Sequence, residues 1–98
     1  MQPRFLLAPE AKADLADAFA WYKAQRTELG SEFLAQVALI LESIEHAPER
    51  YPIVRGTTRR ALVRRFPYAV FYISESDVVA VTAVMHGRRE PRRWQSRR

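Results

Sequence analysis

A histidine and several arginines stand where the last apolar segment of the chain ends, and their types suit phosphate chemistry. The aliphatic run 78–85 leads directly into His86, and Arg88 follows shortly after it. An imidazole takes up or releases a proton near neutral pH, and a guanidinium stabilises the charge that develops on a phosphorane. His86 and Arg88 are therefore candidate catalytic residues for RNA cleavage, with Arg64 or Arg65 as further cations from a neighbouring strand.

Cleavage of RNA needs both a base and an acid, and the sequence identifies no definite partner for His86. Tyr68 and Tyr72 qualify only if they face the same side of the sheet as His86. Alternation along the last strand places Thr82, Val84 and His86 on one side. His86 also has a purely structural interpretation, as a residue at the strand end that bonds a loop carbonyl.

The arginines and tryptophans also suit a surface that binds an acidic protein or a nucleic acid. A guanidinium binds carboxylate or phosphate through two parallel hydrogen bonds and stacks on flat rings, and an indole is a common interface anchor. The candidate partner-binding residues are Arg60, Arg64, Arg65, Arg88, Arg89, Trp94 and Trp21. The alternatives are structural: the arginines would protect a strand edge from aggregation, and Trp94 would pack back on the core as a lid.

Charge is divided unevenly along the 98 residues, whose net charge is +5. Residues 1–49 carry four basic and eight acidic side chains, a net charge of −4, whereas residues 50–98 carry twelve arginines and three acids, a net charge of +9. The positive field therefore belongs to the second half, where it can steer an anionic partner. The length suits a single domain, residues 1–98.

Several classes of site are disfavoured by the composition. The sequence has no cysteine, its two histidines are far apart, and its three glycines are scattered, so we expect no metal and no cofactor. No apolar run is long enough to span a bilayer, and the N-terminus does not resemble a secretory signal. We therefore expect a cytoplasmic protein that has no contact with membranes.

Two amphipathic helices are predicted in the first half of the chain. A short strand, 4–7, precedes Pro9, which suits the first position of a helix, and Gly30 suits a left-handed cap at the end of that helix. Ser31 then caps a second helix, which ends before Pro48. Four charged residues of the first helix are expected to lie off its apolar stripe: Lys12, Asp14, Asp17 and Lys23.

The second half predicts a meander of three strands. A connector, 48–58, precedes the strand candidates 60–64, 68–73 and 78–85, and residues 75–77 have the polar character of a hairpin turn. A pair of helices laid across this sheet would cover the apolar sides of both layers. The predicted fold is α+β with the order β-α-α-β-β-β, in which the helical hairpin packs on one face of a mainly antiparallel sheet.

Short motifs follow one another in a specific order along the chain. They are Pro9 to Leu15, Trp21-Tyr22, Gly30 with Phe33, Ile44 with Pro48, Tyr51-Pro52, Arg64 to Tyr72, and Val84 to Trp94. In this order they resemble the RelE/ParE superfamily of toxins from bacterial type II toxin–antitoxin modules. The resemblance covers nearly the whole chain.

The resemblance implies the β-α-α-β-β-β fold, but it leaves two activities open. ParE-like members poison DNA gyrase, whereas RelE-like members cleave mRNA on the ribosome. Arg64 or Arg65 and Arg88 match the RelE-type arginines, and His86 stands where some RelE-like nucleases keep a histidine. The late tyrosine of many RelE-like enzymes is replaced by the segment 91–94, and the lysines that they often use in the sheet are absent. The long helical hairpin and the missing acid–base partner favour a ParE-like gyrase inhibitor, with a RelE-like ribosome-dependent endoribonuclease as the alternative.

The resemblance also implies a protein partner, a small acidic antitoxin that wraps the toxin and neutralises it. We expect an acidic segment of the antitoxin to lie against the arginine-bearing surface and its apolar side chains to pack on the helical hairpin. The chain itself carries no motif that reads DNA, so we expect no direct sequence-specific DNA binding.

Overall fold

Two helices lie on one face of a five-stranded sheet in the computed structural model, which describes residues 4–86 and 94–97. The elements in chain order are β1 (Arg4–Leu7), α1 (Pro9–Gln25), α2 (Thr27–His46), β2 (Ile53–Arg55), β3 (Thr58–Leu62), β4 (Tyr68–Glu75) and β5 (Val78–His86). The predicted α+β class, with a helical hairpin on a mainly antiparallel sheet, is confirmed. Neither described helix combines the length and the apolar character that crossing a membrane requires.

The strand order in the sheet is β1-β5-β4-β3-β2. β1 runs parallel to β5, and every other neighbouring pair is antiparallel. β2 lies within the segment that the sequence analysis assigned to a connector, and it forms an edge of the sheet. Its three residues pair irregularly with β3, and so short a strand beside Pro52 offers no alternating pattern that a sequence reveals.

The predicted helix boundary at Gly30 and Ser31 is wrong, because the chain turns earlier. Arg26, in an extended conformation with φ −160° and ψ 134°, separates α1 from α2, and Gly30 is buried within α2. A Cβ atom at Gly30 would lie 2.9 Å from the ring of Phe19. The glycine therefore serves the close approach of the two helices and does not end one of them.

The main core lies between the helices and the sheet. α2 contributes Phe33, Val37 and Ile44, which are almost inaccessible to solvent, as their spacing on one helical face predicts. The ring centroid of Phe33 lies 5.3 Å from that of Phe66 and 5.2 Å from that of Tyr68, both in edge-on geometry. Because each large buried apolar side chain contributes about 1.5–3 kcal/mol, this aromatic cluster holds α2 on the sheet.

A β-bulge interrupts the pairing of β4 with β5. Phe71 pairs with Ala83, but the next residue of β4, Tyr72, pairs with Val81. Thr82 is therefore an extra residue in β5, and its side chain donates a hydrogen bond of 3.3 Å to the carbonyl oxygen of Phe71. A bulge of this kind changes the side to which the following residues point.

The bulge corrects the prediction that Thr82, Val84 and His86 follow one unbroken alternation. Val81 and Val84 both pack in the core beneath the helices, whereas Met85 packs on the opposite face. Unbroken alternation would put Val81 and Val84 on different faces. Val84 and His86 still share a side, as expected, and that side is the one that faces the helices.

Candidate functional site

An open groove of about 720 Å³ lies between α1 and the end of the sheet where β4 begins and β5 ends. Two of the predicted site residues line it, His86 from β5 and Trp21 from α1. The other polar or aromatic side chains in its lining are Asp14, Asp17, Tyr22 and Tyr68. The fold thus brings together two candidates that are far apart in the sequence.

His86 lies beside Tyr68 in this groove. The two residues are register partners across β4 and β5, and their ring centroids are 6.0 Å apart. His86 is half-buried and lines the groove, so its imidazole is not enclosed in the core. Tyr68 therefore meets the condition set by the sequence analysis, that a second titratable group face the same way as His86.

Tyr72, the other tyrosine that was considered, has a structural role. Its hydroxyl donates a hydrogen bond of 2.5 Å to the carbonyl oxygen of Pro48, and its side chain is fully buried. Burial is the main cause that raises the pKa of Tyr72 to about 12, although the nearby Arg59 guanidinium lowers it. Tyr72 thus holds the loop after α2 against the sheet.

Asp14 fastens α1 to the edge of β5. β1 pairs with β5 only as far as Val81, so no described strand covers that edge beyond this point. The Oδ2 atom of Asp14 accepts a hydrogen bond of 3.0 Å from the backbone N–H of Val84. Because an unpaired buried N–H costs about 1–3 kcal/mol, the carboxylate replaces the bond that a neighbouring strand would provide.

Arg97 reaches the same carboxylate from the C-terminal segment. Its Nη1 atom donates to Oδ2 of Asp14 at 2.5 Å and to the carbonyl oxygen of Thr82 at 3.4 Å. Only 18% of the Arg97 side chain and 8% of the Asp14 side chain are exposed. The ion pair therefore fixes the bulge, and with it the direction in which His86 points.

Neither partner of this ion pair was predicted from the sequence as a buried or functional residue. Asp14 was expected off the buried stripe of α1, yet it is buried together with Ala11 and Ala18. A signal for this was present, because these three residues are spaced three and four apart and share one helical face. Arg97 gave no comparable signal, since it is one arginine among several at the end of the chain.

The turn between β3 and β4 places Arg64 and Arg65 at the same end of the sheet as the groove. Both side chains are exposed. Arg65 has a φ of 72°, in the left-handed region that side chains disfavour, and its Nη2 atom donates to Oε1 of Glu32 at 3.1 Å. Arg65 is thus tied to α2, whereas Arg64 forms no ion pair with a described residue.

The remaining predicted residues do not share the groove. Arg60 pairs in register with Phe71, on the face of the sheet that the helices leave uncovered. Trp94 stacks on Phe71 with ring centroids 4.4 Å apart and planes at 12°, and it is 8% exposed. Trp94 is therefore the lid, which leaves it little surface for a partner. Arg88 and Arg89 lie outside the described residues.

The chain was compared with families, curated sequences and solved structures. It matches the family model described as "ParE toxin of type II toxin-antitoxin system, parDE" over residues 5–91. Its fold is similar to a solved chain of the chromosomal ParDE toxin–antitoxin system from P. aeruginosa, with a TM-score of 0.77 and 11% sequence identity. That alignment covers 87% of this chain and 96% of the other, and at this identity it shows the fold alone. No curated protein matches the sequence significantly.

Proposed function

Because the chain belongs to the ParE toxin family of type II toxin–antitoxin systems, we propose that it inhibits growth by binding DNA gyrase and that a cognate antitoxin neutralises it. The observation that carries the proposal is the family match over residues 5–91, which includes both helices and every strand, with β1 from its second residue onward. Gyrase acts on the chromosome, so the proposal places the protein in the cytoplasm.

The charges of the described residues in the groove favour contact with a protein over cleavage of RNA; Arg88 and Arg89, which follow His86 in the sequence, lie outside the described residues. A phosphodiester beside His86 would need cations to bind the phosphate and to stabilise the phosphorane. Among the described residues that line the groove there are two carboxylates, Asp14 and Asp17, and no lysine or arginine. Arg97 offsets the charge of Asp14, but Asp17 would still repel a phosphate.

Trp21 supplies an anchor of the kind that protein interfaces use. Its side chain is 58% exposed, while the adjacent Tyr22 packs in the core with its ring centroid 5.1 Å from that of Phe33. Of these two neighbouring aromatic residues, only Tyr22 joins the buried stripe of α1. A well-packed interface tryptophan contributes about 2 kcal/mol or more to binding, so we assign Trp21 to the contact with a partner.

We further propose that an acidic segment of the antitoxin covers the turn with Arg64 and Arg65. Both side chains of the Arg65–Glu32 ion pair are exposed to solvent, and such pairs contribute only about 0–1 kcal/mol to stability. An incoming carboxylate can therefore displace Glu32 at little cost. Arg64→Glu combined with Arg65→Glu should weaken the complex in calorimetric titrations. Arg50→Glu combined with Arg55→Glu, at two exposed arginines outside this turn, is the control with the same change of charge. Equal affinities for both variants would contradict this electrostatic part of the proposal.

The contact with gyrase is tested by supercoiling of relaxed plasmid DNA in the presence of the full chain. We expect Trp21→Ala to raise the concentration that halves supercoiling by about tenfold or more, which follows from the loss of one central anchor. Leu39→Ala, on the outer surface of α2 and exposed to a similar extent at 57%, should leave this concentration unchanged. Equal effects of the two substitutions would contradict the assigned role of Trp21.

A second candidate function, ribosome-dependent cleavage of mRNA, is favoured by the position of Tyr68 beside His86. The imidazole and the phenol would supply the base and the acid that the reaction requires. Cleavage of mRNA on translating ribosomes by the wild type, abolished by both His86→Ala and Tyr68→Phe, would establish this alternative. Absence of cleavage by the wild type would eliminate it.

A further inference from the structure

The groove beside His86 has a chemistry that selects one kind of side chain. We propose that it binds the guanidinium or ammonium group of an arginine or lysine that the antitoxin carries. Three features of the groove support this: a carboxylate without a described partner, accessible aromatic rings, and apolar atoms beside them. The inference rests on the proposed function for the source of the side chain, but not for the binding site itself.

Asp17 gives the groove its negative charge. The other carboxylate, Asp14, is already compensated by the guanidinium of Arg97 and bonded by the N–H of Val84. Asp17 is exposed, and its side chain forms no ion pair or hydrogen bond within the part of the chain that the structure describes. An incoming cation would therefore find a carboxylate for which no described side chain competes.

The aromatic residues of the groove suit the same ligand. Trp21 meets Tyr22 edge-on, with centroids 5.1 Å apart and planes at 87°, so the exposed indole is held by a buried neighbour. Tyr68 and His86 add two more rings to the lining. A cation over an aromatic face is attracted by the ring electrons, and a planar guanidinium also stacks on it.

The apolar part of the lining accommodates the stem of a long cationic side chain. Ala18 and Pro67 border the groove, and the methylene groups of arginine or lysine pack on such surfaces while the charged head stays near polar groups. The lysines of α1 do not fill this place: neither lines the groove, and Lys23 lies over the ring of Phe19 at 5.8 Å. The described lining of the groove thus suits a cation, although the whole chain carries a net charge of +5.

The two tryptophans of the chain make the site measurable by nuclear magnetic resonance. Trp21 lines the groove and Trp94 is buried on the opposite face, so the indole N–H signal of Trp94 is an internal reference. Ethylguanidinium chloride is titrated into the ¹⁵N-labelled full chain, with ethylurea as the neutral analogue and diethyl phosphate as the anion. We expect a saturable shift of the Trp21 signal with ethylguanidinium alone.

Two outcomes of this titration would overturn the inference. One is a response of Trp21 to ethylurea as large as that to ethylguanidinium, which would show that charge plays no part. The other is a saturable response to diethyl phosphate and none to ethylguanidinium, which would make the groove an anion site and favour the RNA-cleaving alternative.

Asp17→Asn measures the contribution of the carboxylate to binding separately from that of the aromatic rings. We expect it to weaken ethylguanidinium binding by about threefold, the size of one solvent-exposed ion pair. Glu10→Gln is the matched control, because Glu10 is an exposed acid of α1 outside the groove, and it should leave binding unchanged. If both substitutions weakened binding equally, the effect would come from the overall charge of α1, and the assignment to Asp17 would be overturned.

The source of the cationic side chain is tested separately, with the antitoxin complex. Each arginine and lysine of the antitoxin is replaced in turn by methionine, and we expect one of these substitutions to weaken the complex. The same substitution should have no further effect when the toxin already carries Asp17→Asn. No such position, despite ethylguanidinium binding, would overturn the antitoxin as the source. If the toxin does not bind ethylguanidinium but the antitoxin still binds and neutralises it normally, the proposed function stands and this inference is overturned.

Discussion

The two faces of the sheet are assembled by different means. On the face beneath the helices, Phe33, Val37 and Ile44 enter the core from one long helix, at a spacing that the sequence makes evident. On the other face a smaller cluster that includes Phe71 is covered by Trp94, which comes from the C-terminal segment. The first face therefore includes a pattern that one element carries by itself, whereas the covering of the second depends on contact between distant parts of the chain.

The two faces are joined at the bulge of β5. Asp14 reaches the bulge from the helix layer, and Arg97 reaches it from the segment that also carries Trp94. Because His86 follows the bulge by a few residues, both regions determine where the imidazole points. The following experiments test how independent the two faces are.

Phe33→Ala is expected to have the largest effect, because it removes a fully buried ring from the helix face. We expect a loss of about 3–5 kcal/mol in the free energy of unfolding, measured by urea denaturation. Leu34→Ala, at a neighbouring position that is 40% exposed, should change it by no more than about 0.5 kcal/mol. Similar losses for the two variants would contradict the arrangement of α2 described here.

Trp94→Ala tests the other face. The indole is stacked and buried, but it covers a smaller cluster, so we expect a loss of about 2–4 kcal/mol in the free energy of unfolding. Trp21→Ala, which removes an exposed indole, should cost less than about 1 kcal/mol. A larger loss in the free energy of unfolding for Trp21→Ala than for Trp94→Ala would contradict the assignment of Trp94 as the buried lid.

Asp14→Ala tests the ion pair at the bulge, where the two faces of the sheet are joined. It leaves the N–H of Val84 and the guanidinium of Arg97 without their acceptor, and we expect a loss of about 1–3 kcal/mol. Arg97→Met should cost less in the Asp14→Ala background than in the wild type, because the two side chains interact directly. Additive losses would show that the ion pair does not couple the faces.

Alkaline pH gives a smaller effect that belongs to the helix face. An unfolded tyrosine ionises near pH 10.0, whereas burial raises the pKa of Tyr72 to about 12. Between these values the unfolded state binds fewer protons, so the free energy of unfolding falls as the pH rises. We expect about 1 kcal/mol to be lost, after allowance for solvent screening.

Tyr72→Phe should flatten this pH dependence without abolishing it. Burial also raises the pKa of Tyr22, with a further contribution from Tyr68, so a residual decrease should remain above pH 10. An unchanged profile in Tyr72→Phe, measured by urea denaturation across this pH range, would mean that Tyr72 is not the buried phenol that resists ionisation.

Sequence reasoning succeeded where one element carries its own pattern. The stripe of α2, Pro9 at the start of α1, and the hairpin between β4 and β5 are local features, and the structure confirms them. Gly30 misled the analysis because a glycine ends a helix or lets two helices touch, and only the position of Phe19 decides between the two. β2 was not predicted because a strand of three residues is too short to show a hydrophobic periodicity.

The candidate site was predictable in its members but not in its geometry. His86 and Trp21 were both identified from their types, and His86 also from its place at the end of a strand. Their meeting in one groove depends on the bulge at Thr82, which in turn depends on Asp14 and Arg97. Such a bulge depends on contacts with residues that are distant in the sequence, so the alternation of residue types in β5 does not predict it.

Gyrase activity distinguishes whether this ParE-family chain acts by contact with a protein, as proposed, or by cleaving RNA. The full chain is titrated into a supercoiling reaction with purified gyrase and relaxed plasmid DNA. The account predicts that supercoiling is lost as the chain approaches the gyrase concentration and returns when the cognate antitoxin is added. Supercoiling that continues undiminished at a large molar excess of the folded chain would contradict it.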